Sequence, residues 1–197
     1  MPIKYLQPDE LKRIIDAAKD SKRNYAMMVV SYHHVLRSAE LCDLTLADFD
    51  EGNRRLVIVP KKKRQKKPAP FYEAFCPANG CAPSDLTVLH AWLKERATLP
   101  YAGESDALFI SQKGTAIWPT TWSHIFHDYA VAAGIHEDWQ HSHVLRHTGI
   151  MTAVKGGMPL HLVRQMSRHA NFASLIPYLE DSQDVVDFAK FKAFSKF

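Results

Sequence analysis

Apolar residues along the chain recur mostly at helical spacing, with one short alternating stretch near the middle. Leu11, Ile14, Ile15 and Ala18 form a stripe at helical spacing, as on a helix with one buried face. Pro8 stands near its first turn, and Asp9 and Glu10 suit the positive end of the helix dipole. Residues 23–35 are rich in apolar side chains, which predicts a mostly buried helix. Residues 37–44 read as one or two further turns, with Leu41 and Leu44 inward. Residues 54–59 are short and β-branched, and residues 66–72 can return beside them, a hairpin with a lysine-rich tip. Pro77, Asn79-Gly80 and Pro83 mark residues 75–85 as loop. An amphipathic helix over 86–99, a short strand over 107–111 and a helix from Pro119 to residue 133, closed by Gly134, follow. Residues 142–155 form another helix, stopped by Gly156-Gly157; Pro159 starts the next, to about residue 168, and residues 174–197 read as one or two more. The pattern is mainly α with a small antiparallel β-sheet (α+β), without an internal repeat or a linker, hence one domain over residues 1–197.

Composition narrows the class. The 197 residues, 46% of them hydrophobic, suit a single domain burying roughly 70% of its unfolded surface. No run approaches the roughly 20 apolar residues that span a bilayer, and the first residues lack the apolar core of a secretion signal. Three cysteines are too few for a disulfide framework and fit a reducing cytoplasm. The formal charge of +4 hides an uneven distribution: eight basic residues and no acid lie between Arg54 and Lys67, leaving the remainder at −4. Such a patch suits a polyanion; a solvated charged loop is the plainer reading.

The candidate chemistry centres on His143-Val144-Leu145-Arg146-His147. On a helix His143 and Arg146 share a face, joining a proton carrier to a planar cation that grips two phosphate oxygens. Arg37 lies upstream, Lys61 opens the basic run, His169 follows Arg146 by 23 residues and Tyr178 follows His169 by nine. Together these types can transfer a phosphoryl group. Arginines neutralise the phosphoryl oxygens, a tyrosine hydroxyl attacks phosphorus, a lysine protonates the leaving oxygen, and the histidines handle the other proton or hydrogen-bond the phosphate.

On these motifs the chain resembles the catalytic domain of the tyrosine recombinases, from Tyr5 to Tyr178. Leu36-Arg37-Ser38-Ala39-Glu40-Leu41 with the later Asp48, His143 to His147, and His169 with Tyr178 match the family boxes in order. The resemblance implies a site-specific DNA recombinase of integrase or invertase type, with no cofactor or metal. Arg37 and Arg146 would clamp the scissile phosphate, and Tyr178 would attack it, giving a 3′-phosphotyrosyl link. Lys61 would protonate the 5′-oxygen, with Lys62 and Lys63 as neighbouring alternatives; His143 would assist proton transfer and His169 would bond a phosphate oxygen. Lys62, Lys63, Arg64, Lys66 and Lys67 would hold the backbone of duplex DNA, with protomers assembling as a tetramer on it, in the cytoplasm at the nucleoid. The chain begins where the family's catalytic domain begins, so its separate N-terminal DNA-clamping domain is expected to be absent.

The sequence departs from the family at two places. Ser167-Arg168 replaces the usual Leu-Gly before the late histidine, straining the turn or adding a phosphate contact. Pro177 precedes Tyr178, which suits a tyrosine that starts a helix or lies extended. These departures keep a catalytically weakened DNA-binding protein as one alternative; DNA relaxation of the type IB topoisomerase kind is another. Glu40 is expected to buttress Arg37. Cys42 reads as core, Tyr32 and Tyr129 as packing residues, and the other histidines, His33-His34 included, as ordinary surface residues. Cys76 and Cys81 with His90 make an incomplete zinc set. Phe188, Phe191, Phe194 and Phe197 give the tail, about 182–197, an apolar face that packs on its own core or on a neighbouring protomer.

Overall fold

The computed structural model describes residues 4–60 and 69–179. The basic run over 61–67 and the tail over 182–197, with the expectations placed on them, lie outside the described residues. Helix α1 (Pro8–Ala17) buries Leu11, Ile14 and Ile15, the stripe seen in the sequence. Helix α2 (Lys22–His33) is the centre of the fold: Ala26, Met27, Met28, Val29 and Val30 are all fully buried. Against α2 pack α4 (Asp85–Arg96) and α6 (His143–Lys155). Helix α3 (Ser38–Cys42), a single short element, packs on α5 (Pro119–Ala132), whose Trp122 and Phe126 stack edge to face inside the core. Helix α7 (Leu160–Met166) lies beside α6. Among the described residues no helix is long and apolar enough to cross a membrane.

The sheet has three antiparallel strands, β1 (Phe49–Asp50), β2 (Arg55–Ile58) and β3 (Phe71–Ala74), in the order β1-β2-β3. Leu56 pairs with Phe49 on one side and Glu73 on the other, and Ile58 pairs with Phe71. The returning strand therefore starts later than residues 66–72 suggest. Pro70 has no N–H to give a ladder, so pairing begins just after it. The strand expected over 107–111 is instead two isolated bridges, Thr45 with Ala107 and Ile110 with Ala116. That backbone is anchored by side chains: the Trp92 indole donates to the Leu108 carbonyl, and Arg96 donates to the carbonyls of Ala102, Ser105 and Ala107.

Two helix ends shape the site. At the end of α2, Val35 N–H donates to Tyr32 O and Leu36 N–H to Ser31 O; at the end of α7, Arg168 N–H donates to Gln165 O and His169 N–H to Arg164 O. Both are the paired bonds of a Schellman turn, whose hinge residue is left-handed and usually glycine. Here the hinges are Val35 at φ 43° and Arg168 at φ 54°. A left-handed side chain costs about 1–2 kcal/mol, so the strain expected at Arg168 is present, and a second such turn is at Val35. Beyond α7 a 3-10 turn (Phe172–Tyr178) includes Pro177 and ends at Tyr178. This corrects the expectation that Tyr178 starts a helix or lies extended. A 3-10 turn accepts Pro177 because the next bond, Leu179 N–H to Ile176 O, does not use the proline nitrogen.

Candidate active site

Helix α6 carries His143, Arg146 and His147, and its apolar positions Val144, Leu145 and Ile150 fix it to the core. Arg146 is buried between the two Schellman turns. Its guanidinium donates through Nη1 to the Val35 carbonyl and through Nη2 to the Ser167 carbonyl, with His169 Nε2 at 3.4 Å from Nη2. The strained turns thus aim two carbonyls at one planar cation, a fork geometry that lysine cannot reproduce.

Arg37 is the N-cap of α3. Glu40, one turn on, accepts from the Arg37 backbone N–H at 2.9 Å and from its Nη1 at 2.8 Å, while Nη2 reaches the Arg168 carbonyl at 3.4 Å. The Arg37 side chain stays about one-third exposed, whereas Glu40 is fully buried. Burial alone would raise the Glu40 pKa, but the charges of Arg168 and Arg37 and the Arg37 backbone bond bring it below the usual carboxylate range. Glu40 does buttress Arg37, as its spacing indicates.

Arg168 is where the structure overturns an alternative read from the sequence. Its side chain is fully buried and makes no exposed, phosphate-facing contact. It donates to Glu40 Oε2 at 3.2 Å, to Glu73 Oε1 at 2.5 Å, and to the carbonyls of His34, Val35 and Met166. The left-handed turn sends the side chain inward, toward two acids, rather than out to solvent.

Tyr178 sits in a second, smaller apolar cluster with Val35, Ile150, Val154, Val163, Leu175 and Leu179. Its hydroxyl is 2.6 Å from His147 Nδ1, and the His169 ring is 6.4 Å away between centroids. His169 Nδ1 is in turn 2.9 Å from Ser167 Oγ. Burial pushes the Tyr178 phenol up to about 12, against the pull of Arg146 and Arg37. Burial, then neighbouring positive groups, brings His147 and His169 each down to about 4. Burial and the charges of Arg37 and Arg168 lower Arg146 to about 9, and burial with His141 and Arg146 lowers the exposed His143. Burial is the leading cause of each of these shifts, and for the histidines and Arg146 the neighbouring positive groups push the same way. An anion entering the cluster would ease that mutual repulsion.

Arg37, His143, Arg146, His169 and Tyr178, drawn from three separate stretches of sequence, are thus brought to one place. Lys61 and Lys62, Lys63, Arg64, Lys66 and Lys67 lie outside the described residues. The sequence reading assigned no role to His147, which holds the tyrosine hydroxyl, and missed Glu73. An acid on the inward-facing side of β3, between Phe71 and the loop, was the available signal. A cleft of about 320 Å³ opens beside the cluster, lined by Phe71, Arg164, Gln165, Arg168, His169 and Ala170.

The histidine pair of α2 also needs correction. His33 and His34 are not surface residues. His34 is buried between Glu73, 2.9 Å from Nδ1, and Asp85, 3.1 Å from Nε2; His33 Nδ1 meets Asp85 at 2.7 Å. Although burial lowers it, hydrogen bonds and charge from both acids raise His34 to about 9, so it is a cation at neutral pH. His33, Cys76 and Asp85 bring three possible metal-binding atoms within 4.8 Å of one another. They are one short of a closed zinc set, and the Asp85 oxygens already accept from both histidines and from Cys76 N–H. His90, the third ligand considered from the sequence, bonds Glu51 instead.

Comparison with known proteins gives the cluster a context. Residues 4–184 match the model of the phage integrase family. The Escherichia coli K12 type 1 fimbriae regulatory protein FimB is 25% identical over 177 residues, covering 88% of this chain and 82% of that protein. A tyrosine recombinase of Pseudothermotoga lettingae is 27% identical over 192 residues, covering 98% of this chain but 60% of its own length. Among solved structures, XerA recombinase superposes with a TM-score of 0.76 at 24% identity, over 98% of this chain and 66% of that one. XerH recombinase, in a pre-cleavage complex with its difH substrate, gives 0.72 at 21% identity, over 95% and 54%. With a family match over nearly its whole length and this fold, the chain belongs to the phage integrase family and carries a tyrosine recombinase catalytic domain.

Proposed function

We propose that this chain is a site-specific recombinase that cuts and rejoins duplex DNA through Tyr178, assembling as a tetramer on DNA in the nucleoid. The observation that carries the reading is the placing of a buried tyrosine hydroxyl, held by His147, next to the paired guanidiniums of Arg37 and Arg146. Arg37 and Arg146 bind two non-bridging oxygens of the scissile phosphate, and His169 donates to one from Nε2. The Tyr178 oxygen attacks phosphorus as the bond from phosphorus to the 5′-oxygen breaks. The phenol proton passes to His147 Nδ1, and Lys61 gives a proton to the departing 5′-oxygen. His143, at the exposed edge, relays protons to solvent.

At rest the proton transfer from Tyr178 to His147 is strongly uphill. Phosphate charge arriving beside His147 raises its basicity, and the phenol loses electron density as its bond to phosphorus forms, so the proton moves late. The phosphotyrosyl ester retains the energy of the broken bond, and a 5′-hydroxyl from a second strand reverses the step. Guanidiniums supply the charge compensation that a metal ion provides in other phosphoryl transfers. The reaction is therefore expected to proceed in EDTA.

The test is adduct capture. The protein is mixed in EDTA with nicked duplexes carrying its genomic flanking sequence or random sequence, and covalent complexes are trapped in detergent and mapped. A 3′-adduct on Tyr178, lost in Tyr178→Phe while DNA binding stays within a few-fold, is the expected result. DNA retained without any adduct would identify a binding protein; relaxation of supercoiled DNA by monomers, with no need for paired sites, would identify a topoisomerase.

A further inference from the structure

Most charges around the active site are answered from within the protein. Arg37, Glu40, Arg168, Glu73, His34 and Asp85 meet in one line of alternating charge, and two carbonyls hold Arg146. Arg164, in the last turn of α7, stands outside that network. Its Nε is the one buried side-chain nitrogen or oxygen, among the described residues, without a hydrogen-bond partner. Its guanidinium lies over the Phe172 ring, 4.9 Å from the centroid. Stacking occupies the face of a guanidinium, whereas its N–H bonds point outward in the plane. The ring therefore leaves the Nε–H unanswered. A buried donor without an acceptor costs about what a lost hydrogen bond costs, so this side chain gains free energy when an acceptor arrives.

Arg164 borders the cleft of about 320 Å³ beside the catalytic cluster, together with Gln165, Arg168 and His169. No acid lines that cleft. Arg168 is already paired with Glu40 and Glu73, which leaves Arg164 as the cleft's unbalanced charge. His169 is the wall shared with the cluster, its Nε2 3.4 Å from Arg146 Nη2. We propose that Arg164 binds a second backbone phosphate of the DNA, next to the scissile one, by turning its Nε and Nη edge into the cleft to take two phosphate oxygens. This rests on the recombinase reading above: a strand whose scissile phosphate meets His169 runs on past this cleft. The phosphate contact that Arg168 does not make thus falls to Arg164, four residues earlier. A cation in the last turn also suits the negative end of a helix, but that role needs only charge near the carbonyls and no ligand.

The two roles differ in how binding responds to salt. Affinity for the duplexes of the adduct assay would be measured in EDTA across salt concentrations, for the unchanged protein, Arg164→Gln and Arg164→Lys. Losing one phosphate contact makes the slope of log affinity against log salt shallower by about 0.9. Arg164→Gln is expected to show that change and to bind about tenfold more weakly at low salt. Arg164→Lys keeps the charge and is expected to keep the slope while losing part of the affinity with the fork. A cation that serves only the helix end would leave the slope unmoved in both. Each phosphate of the duplex would then be neutralised singly as a methylphosphonate. The one beside the mapped cut is expected to weaken the unchanged protein about tenfold and to weaken Arg164→Gln no further. An unmoved slope, no such silent position, a silent position away from the cut, or loss of folding in both variants would overturn the assignment. If no duplex yields an adduct, the recombinase reading fails, and the salt slope would still decide whether Arg164 meets a phosphate.

Discussion

Arg146 shows how a residue's chemistry and its burial are set against each other. Taking a guanidinium out of water is costly, and here two further guanidiniums stand near it, which is why its proton is held less tightly than usual. The turn carbonyls of Val35 and Ser167 offset that cost only because one planar fork reaches both. Arg146→Lys keeps the charge but replaces the planar fork with a compact ammonium that cannot match its two-pronged geometry. Adduct formation is expected to fall by about 10²–10³, more than DNA affinity falls; quantified adduct yields against binding isotherms would check this, and a variant cleaving at the unchanged rate would remove Arg146 from the phosphate clamp. The sequence made Arg146 legible because its neighbours on α6 are locally spaced. Arg168 was legible only as a strained substitution. Its destination depends on Glu73, 95 residues away, and no local pattern encodes such a pairing.

The helices carry their own information, and the periodicity found α1, α2, α5 and α6 within a few residues at their ends. It failed where tertiary contacts replace local pattern. Residues 107–110, two bridge positions with a bend between them, are held by Trp92 and Arg96 rather than by a ladder, and Tyr178 lies in a 3-10 turn whose proline contradicts a helix signal. One glycine makes the packing of α6 on α2 testable. A Cβ on Gly149 would come within 2.5 Å of both the Tyr32 carbonyl oxygen and Val35 Cγ1. The carbonyl is backbone and cannot rotate away, so the two helices must separate. Gly149→Ala raises helix propensity yet is expected to destabilise the protein by about 1–3 kcal/mol, the usual cost of overpacking. Because Val35 accepts from Arg146 and α6 also carries His147, adduct formation should fall with it. Denaturant midpoints paired with adduct yields would show this; a more stable variant would mean that the helices do not meet this closely.

Across the whole molecule, the buried charges divide by how pH acts on them. His34 has its pKa raised in the folded state, to about 9 from an ordinary 6.5. Its contribution to stability is complete below pH 6.5 and is lost as pH rises through 9, about 3 kcal/mol in all. His147 and His169 act oppositely. Held near 4 in the folded state, they resist protons that the unfolded chain accepts below pH 6.5, so folding weakens as pH falls from there toward 4. Asp85, whose carboxyl is held well below its ordinary range by His33 and His34 despite burial, adds to the loss at the acid end. Stability should therefore peak near pH 6.5, where the site histidines are neutral and His34 still carries its proton. The alkaline arm is read most cleanly between pH 6.5 and 8, below the range where Cys42 and Cys76, pushed up to about 12 by burial, begin to ionise in the unfolded chain. Over that interval the loss from His34 is about 1.5 kcal/mol, and His147 and His169 return about half of it as the unfolded chain gives up their protons, so the unchanged protein is expected to lose about 1 kcal/mol by denaturant unfolding. His34→Gln starts less stable but should gain slightly over the same interval. Parallel profiles for the two proteins would mean that His34 is neutral between Glu73 and Asp85, and that the line of charge from Arg37 to Asp85 is held by hydrogen bonds at that end rather than by a buried cation.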